Sequence, residues 1–191
     1  LMSTQMILPV REYDRRIRRT KEMMDRQGME VLLVVDPANM NYLTGYDGWS
    51  FYVHQGVILS LNADAPLWFG REQDANGARL TTWLPRDNIY GYPDEYVQSR
   101  YTHTMCYVAQ LLRDRGWAEK RLGLEMDGYW FSAKMYLTLQ EQLGRSTLLD
   151  ATNLVNWVRI VKSEAEITYI RQAARIGERV MQTAIDGIVP G

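Results

Sequence analysis

The chain has 191 residues, 46% hydrophobic and 24% charged, with a net charge of -1. This balance is that of globular material and excludes a disordered chain, a nucleic-acid binder and a binder of anionic membrane surfaces. A single cysteine, Cys106, excludes an internal disulfide and a cysteine-built zinc site, and its apolar surroundings read as core packing in a reducing, cytoplasmic setting.

Residues 1–9 read as a lead-in. From Val10, the positions Val10, Tyr13, Ile17 and Met24 fall at helical spacing among many charges, so an amphipathic helix is predicted, ended by Gly28. Val31–Val35 is a β-branched apolar run and reads as a buried strand. Asp36-Pro37 is an N-cap followed by a residue suited to the first helical turn, predicting a short helix Ala38–Thr44 closed by Gly45. Ser50–Leu61 reads as a strand, Asn62-Ala63-Asp64 as a turn and Pro66–Phe69 as a returning strand, together a hairpin. Gly70 is predicted to break that strand, with a helix from Arg71 to Leu84. A strand over 88–92 and a turn at Pro93-Asp94 follow.

His103–Arg115 reads as a helix stopped by Gly116, Arg121–Glu125 as a strand, Ser132–Leu143 as a helix stopped by Gly144, and Thr147–Leu149 as a last strand. Asn156–Lys162 reads as a connector. Ser163-Glu164-Ala165-Glu166 has the form of a capping box, and Ile167, Ile170, Ala174, Met181 and Ala184 form a stripe on a helix running to about Asp186. Strands alternating with helices imply an α/β fold with one mixed β-sheet flanked by helices. A lone helix has nothing of its own to bury its stripe against. The expectation is therefore a domain over residues 1–157 and, over 158–191, a connector and the first helix of a truncated second domain.

The densest stretch is Leu43–Gln55, which mixes Tyr46, Trp49, Phe51 and Tyr52 with Asp47 and His54. Aromatic faces with a few polar tips make a binding surface, although a packed aromatic hairpin explains the same residues. Arg71, after Gly70, stands where a sheet-end arginine clamps a carboxylate, or where it pairs locally with Glu72 or Asp74. Asp94 and Glu95 read as a solvated turn, and Tyr90, Tyr92, Tyr96 and Tyr101 as half core, half rim. The chain has two histidines, His54 and His103, and neither an H-E-x-x-H nor a G-x-S-x-G motif, so no metal or nucleophile site is expected within it. It also lacks G-x-G-x-x-G and Walker loops.

Three blocks resemble the N-terminal domain of the creatinase / Xaa-Pro peptidase family, the pita-bread metallohydrolases. They are VLLVVDPANMNYLTGYDGWS, the hairpin ending in PLWFGRE, and WVRIVKSEAEITYIRQAARIGERVMQTAIDGIVPG with its Arg159, Lys162, Ser163, Glu166, Ile167 pattern. YDGWSFYVHQ, GREQDANGARLTTWL and GYPDEYVQS are most similar to the ectoine hydrolase branch.

The resemblance implies a creatinase N-terminal-domain-like, ribonuclease H-like fold in the front part of an enzyme that hydrolyses a C–N bond. The candidates are ectoine, an Xaa-Pro dipeptide or a creatine-like amidine. It implies no cofactor in this chain. Two divalent metals (Mn, Co or Zn) would lie in a catalytic domain after Gly191, held there in the peptidases by Asp, His and Glu side chains, whereas creatinase-like members use none. In such families this domain mediates homodimerisation and sends a loop over the partner's active site. Tyr46, Asp47, Trp49, Tyr52, His54 and Arg71 are then the substrate-binding candidates, for a small zwitterionic substrate or a dipeptide. The rival is a stand-alone binding or assembly module without a catalytic partner.

Overall fold

The computed structural model describes residues 8–189, so most of the lead-in over 1–9 lies outside the described residues. Two compact units part between Val158 and Arg159.

In the first unit, helix α1 (Val10–Arg26) is followed by strand β1 (Val31–Val34) and helix α2 (Pro37–Thr44). The hairpin β2 (Gly56–Ser60) and β3 (Leu67–Arg71) comes next, then α3 (Glu72–Thr81), β4 (Ile89–Tyr92), α4 (Thr104–Asp114), β5 (Leu122–Leu124), α5 (Ala133–Gln142), β6 (Leu148–Asp150) and most of α6 (Leu154–Ile160), whose last two residues fall in the second unit. The strands form one sheet in the order β4-β3-β2-β1-β5-β6. β2 is antiparallel to both β1 and β3, and the other pairings are parallel. The expected mixed sheet is thus present, with the hairpin as its antiparallel part.

Side-chain alternation along β1 sorts the core into two layers. Leu32 and Val34, with Val57, Leu59 and Trp68, pack under Ile17, Met24, Met40, Leu43 and Val155. Val31, Leu33 and Val35, with Ile58 and Phe69, pack under Met105, Val108, Leu112, Met135 and Leu139. Helices therefore cover both faces of the sheet.

Local punctuation works as predicted. The Asp36 side chain accepts from Asn39 N, and Gly45 closes α2 at φ 80°, a conformation that a side chain would strain. Four expectations change. The strand predicted over 50–61 begins only at Gly56. The ladder with β1 ends at Val57, which faces Val34, and the ladder with β3 ends at Gly56, which faces Phe69, so residues 50–55 lie outside both ladders. Gly70 does not break β3. It pairs with Gly91 inside the strand, and a Cβ there would stand 2.3 Å from the Trp68 indole, so the glycine makes room for that ring. The connector over 156–162 is largely helical, because Leu154, Val155 and Val158 fall on one face and are buried. Cys106 is half-buried rather than fully in the core.

A buried carboxylate ties these parts together. Glu125, just after β5, accepts from Val35 N at 2.7 Å, Asp36 N at 2.8 Å and Asn39 Nδ2 at 2.7 Å. Asn39 Nδ2 also donates to Asn156 Oδ1 of α6 at 2.8 Å. Burial pushes the Glu125 carboxyl up, and the three hydrogen bonds oppose that shift.

In the second unit, α7 (Glu164–Asp186) starts at the predicted capping box. Ser163 Oγ accepts from Glu166 N at 3.1 Å, and Glu166 Oε2 accepts from Ser163 N at 2.8 Å. None of its residues is buried, and Ile170, Val180, Met181 and Ile185 are exposed. No helix among the described residues is long and apolar enough to cross a membrane.

Candidate functional site

The loop between α2 and β2 is built on an internal anchor. Tyr46 is 4% exposed, its ring lies 5.1 Å from Trp68, and its hydroxyl donates to Gln55 Oε1 at 3.0 Å. Burial pushes that hydroxyl up to about 12, with the charge of Asp74 adding to the effect. Gly48 runs directly over the Tyr46 ring, where a Cβ would stand 2.7 Å from its hydroxyl end. Val53 is a second buried point, and its N–H donates to Ser50 Oγ at 3.2 Å. Between these points the loop presents Asp47, Trp49, Phe51 and Tyr52 outward, with Trp49 64% and Phe51 74% exposed.

His54 is half-buried at the base of the loop, its ring 4.9 Å from that of His103. The His54 carbonyl accepts from the Tyr92 hydroxyl. His103 caps α4, its Nδ1 accepting from Met105 N at 3.1 Å, which places the proton of the neutral ring on Nε2. Burial lowers the His54 imidazole. Burial, the facing His54 and then Lys134 lower His103 to about 4. Both rings are neutral hydrogen-bonding groups at pH 7.

Arg71 ends β3. Its Nε and Nη2 donate to Asp94 Oδ1 at 2.7 Å and Oδ2 at 2.9 Å, a bidentate clamp on a carboxylate. That hydrogen bonding holds the Asp94 carboxyl below its usual range and raises the guanidinium. The local partners expected for Arg71, Glu72 and Asp74, are not the ones it uses. Glu72 instead pairs with Arg79 at 3.2 Å. Of the tyrosines expected as half core and half rim, Tyr92 is fully buried and Tyr101 is 97% exposed.

The structure therefore brings Tyr52, His54 and Arg71 to the sheet end where β3 and β4 finish, with Asp47 and Trp49 further along the loop. Tyr46 is buried in the core layer that holds Trp68. A cleft of about 230 Å³ is lined by Val35, Pro37, residues 50–55, Tyr129, Trp130 and Ser132. Sequence reasoning passed over the segment 126–131, between β5 and α5. Tyr129, Trp130 and Phe131 are three aromatic residues in a row after Gly128, and that density in a loop was the available signal.

The residues present do not fit a two-metal centre. Among the described residues no three of His, Cys, Asp and Glu converge, and His54 and His103 face each other with Lys134 near.

Residues 16–161 match the model of the creatinase/prolidase N-terminal domain. Over 181 residues the chain is 49% identical to an ectoine hydrolase of Halomonas elongata, covering 94% of this chain and 45% of the relative. It is 44% identical over 180 residues to an uncharacterised hydrolase/peptidase of Sinorhizobium fredii, covering 94% and 46%. Among solved structures, an Xaa-Pro dipeptidase from Bacillus anthracis superposes with a TM-score of 0.73 at 18% identity, covering 94% of this chain and 44% of that one. The chain thus spans somewhat less than half the length of the curated relatives it matches.

Proposed function

The chain belongs to the creatinase/prolidase N-terminal domain family, and on that premise we propose that it is the substrate-capping and dimerisation part of a C–N bond hydrolase. The bond is that of a small zwitterion, by likeness to the ectoine hydrolase, or of an Xaa-Pro dipeptide. The observation that carries this reading is the loop 46–55. Its buried half, Tyr46, Val53 and Gln55, fixes a projecting half, Trp49, Phe51 and Tyr52, that adds little to the core. Surface aromatics projected from a buried anchor suit the recognition of a ligand with apolar faces and charged ends.

Asp47, Trp49, Tyr52 and His54 form the recognition set, and Tyr46 supports them from below. Arg71 takes the carboxylate end of the substrate with the same fork that Asp94 fills here. The groups that break the bond, with any Mn, Co or Zn they use, are supplied outside Leu1–Gly191. A homodimer brings this loop to the partner's reaction centre.

The test is hydrolysis of ectoine and of Xaa-Pro dipeptides with added Mn2+, Co2+ or Zn2+, by the full-length protein that carries this chain and by residues 1–191 alone. Turnover is expected from the full-length protein only. Tyr52→Ala and Arg71→Ala are expected to raise KM about tenfold or more. Robust turnover by residues 1–191, or an unchanged KM in both variants, overturns the reading.

A further inference from the structure

Trp130 stands between two clefts. Besides the smaller one already described, it lines a second of about 460 Å³ with Asp36, Pro37, Ala38, Asn41, Tyr46, Asp47, Gly48 and Trp49. None of these residues is basic, and two are acidic. The Trp49 and Trp130 rings lie 5.9 Å apart at 63°, so they make a corner rather than a stack. Phe51 continues the corner at 6.5 Å from Trp49, and Tyr129 at 5.3 Å from Trp130.

The segment that carries Trp130 is pinned. Gly128 N donates to Glu125 O at 3.0 Å, Phe131 N to Gly128 O at 3.0 Å, and Asp127 N to Thr152 Oγ1 at 3.1 Å. Phe131 is buried, and Ser132 caps α5 by accepting from Met135 N. Trp130 itself packs part of its ring on the core beneath it. The indole is therefore a fixed wall, unlike the largely exposed Trp49.

We infer that Trp130, with Trp49 and Asp47 opposite it, takes the positively charged end of the ligand. The class is a compact organic cation: an amidinium, a guanidinium or an ammonium. Indole faces carry the negative side of their quadrupole outward and attract such a cation. The acidic, base-free lining adds attraction of the same sign, and it would repel a carboxylate. The inference rests on the recognition role proposed above and extends it: Arg71 reads the negative end, and this corner reads the positive end.

Ligand-observed saturation-transfer NMR on the full-length protein tests it, with acetamidinium and its neutral isostere acetamide as probes at constant ionic strength. Saturable binding of acetamidinium and none of acetamide is expected. Trp130→Ala should weaken acetamidinium about tenfold, and Trp130→Phe, which keeps a π face, by no more than about threefold. Trp49→Ala should also weaken it, and this variant removes an exposed ring, so loss of folding does not obscure the result. Equal binding of both probes, or wild-type affinity in Trp130→Ala, overturns the inference. If Tyr52→Ala and Arg71→Ala raise KM while acetamidinium does not bind, the recognition role stands and this extension of it falls. If acetamidinium binds through Trp130 while those two variants leave KM unchanged, the cation site stands and the capping role falls.

Discussion

Two aromatic loops meet at the rim of this domain, and they differ in the share of their aromatic surface that they expose. Residues 46–55 bury one aromatic ring, Tyr46, and expose three: Trp49, Phe51 and Tyr52. Residues 126–131 are shorter, bury Phe131, half-bury Trp130 and expose Tyr129. In each, an inward ring fixes the backbone so that a neighbouring ring is held outward. The longer loop leaves more chain between its buried points, and three of its rings project from it. The shorter loop brings its wall already seated on the core. A surface assembled this way has one adaptable side and one rigid side.

Tyr46 is the inward ring that anchors the longer loop. Tyr46→Ala removes a ring packed on Trp68 together with the hydroxyl that donates to Gln55. A loss of about 3–5 kcal/mol in unfolding free energy is expected, measured by urea denaturation of the full-length protein. A loss below about 1 kcal/mol would mean that the loop holds its shape without Tyr46.

At the base of the same loop, the His54–His103 pair contributes a smaller, pH-dependent effect. His103 has its folded-state value lowered to about 4 from an ordinary 6.5. The unfolded chain binds a proton at this residue below pH 6.5, and the folded protein resists it down to about pH 4. Stability is therefore full above that window and falls as the pH drops through it. The loss expected from this group is about 1–2 kcal/mol after discounting for its partial exposure. His54 is lowered by burial and acts in the same direction. His103→Asn keeps an N-cap for α4 and removes the titration, so its urea midpoint should change less between pH 7 and pH 5 than that of the wild type. An unchanged pH slope in this variant would show that the imidazole pair is not what the folded loop keeps neutral.

These cases also show what the sequence could and could not announce. Asp36 as the cap of α2, Gly45 as its stop and the Ser163–Glu166 box are decided within a few residues, so each was legible. The start of β2 was not, because it depends on where the ladders to β1 and β3, both distant in the sequence, come to an end. The partner of Arg71 was missed for the same reason: Asp94 lies 23 positions away and meets it only through the parallel pairing of β3 with β4. Gly70 reads as a breaker until the Trp68 ring that lies across it is known. Trp130 carried a local signal, three aromatic residues in succession. Its meaning appears only when Trp49 is brought 5.9 Å away from a point 81 positions earlier in the chain.

The smallest expected effect on stability separates recognition from packing. Trp49 is 64% and Phe51 74% exposed. Removing mostly solvated rings sacrifices little buried area, so Trp49→Ala and Phe51→Ala should each change the unfolding free energy by no more than about 0.5 kcal/mol. Trp130→Ala should cost more, because part of that ring lies on the core. An exposed aromatic ring that contributes nothing to folding, but whose loss weakens ligand binding, is kept for the ligand. If Trp49→Ala instead destabilises the fold as much as Trp130→Ala, its contacts with Trp130 and Phe51 are structural. The longer loop is then as rigid as the shorter one, and the contrast between an adaptable side and a fixed side disappears.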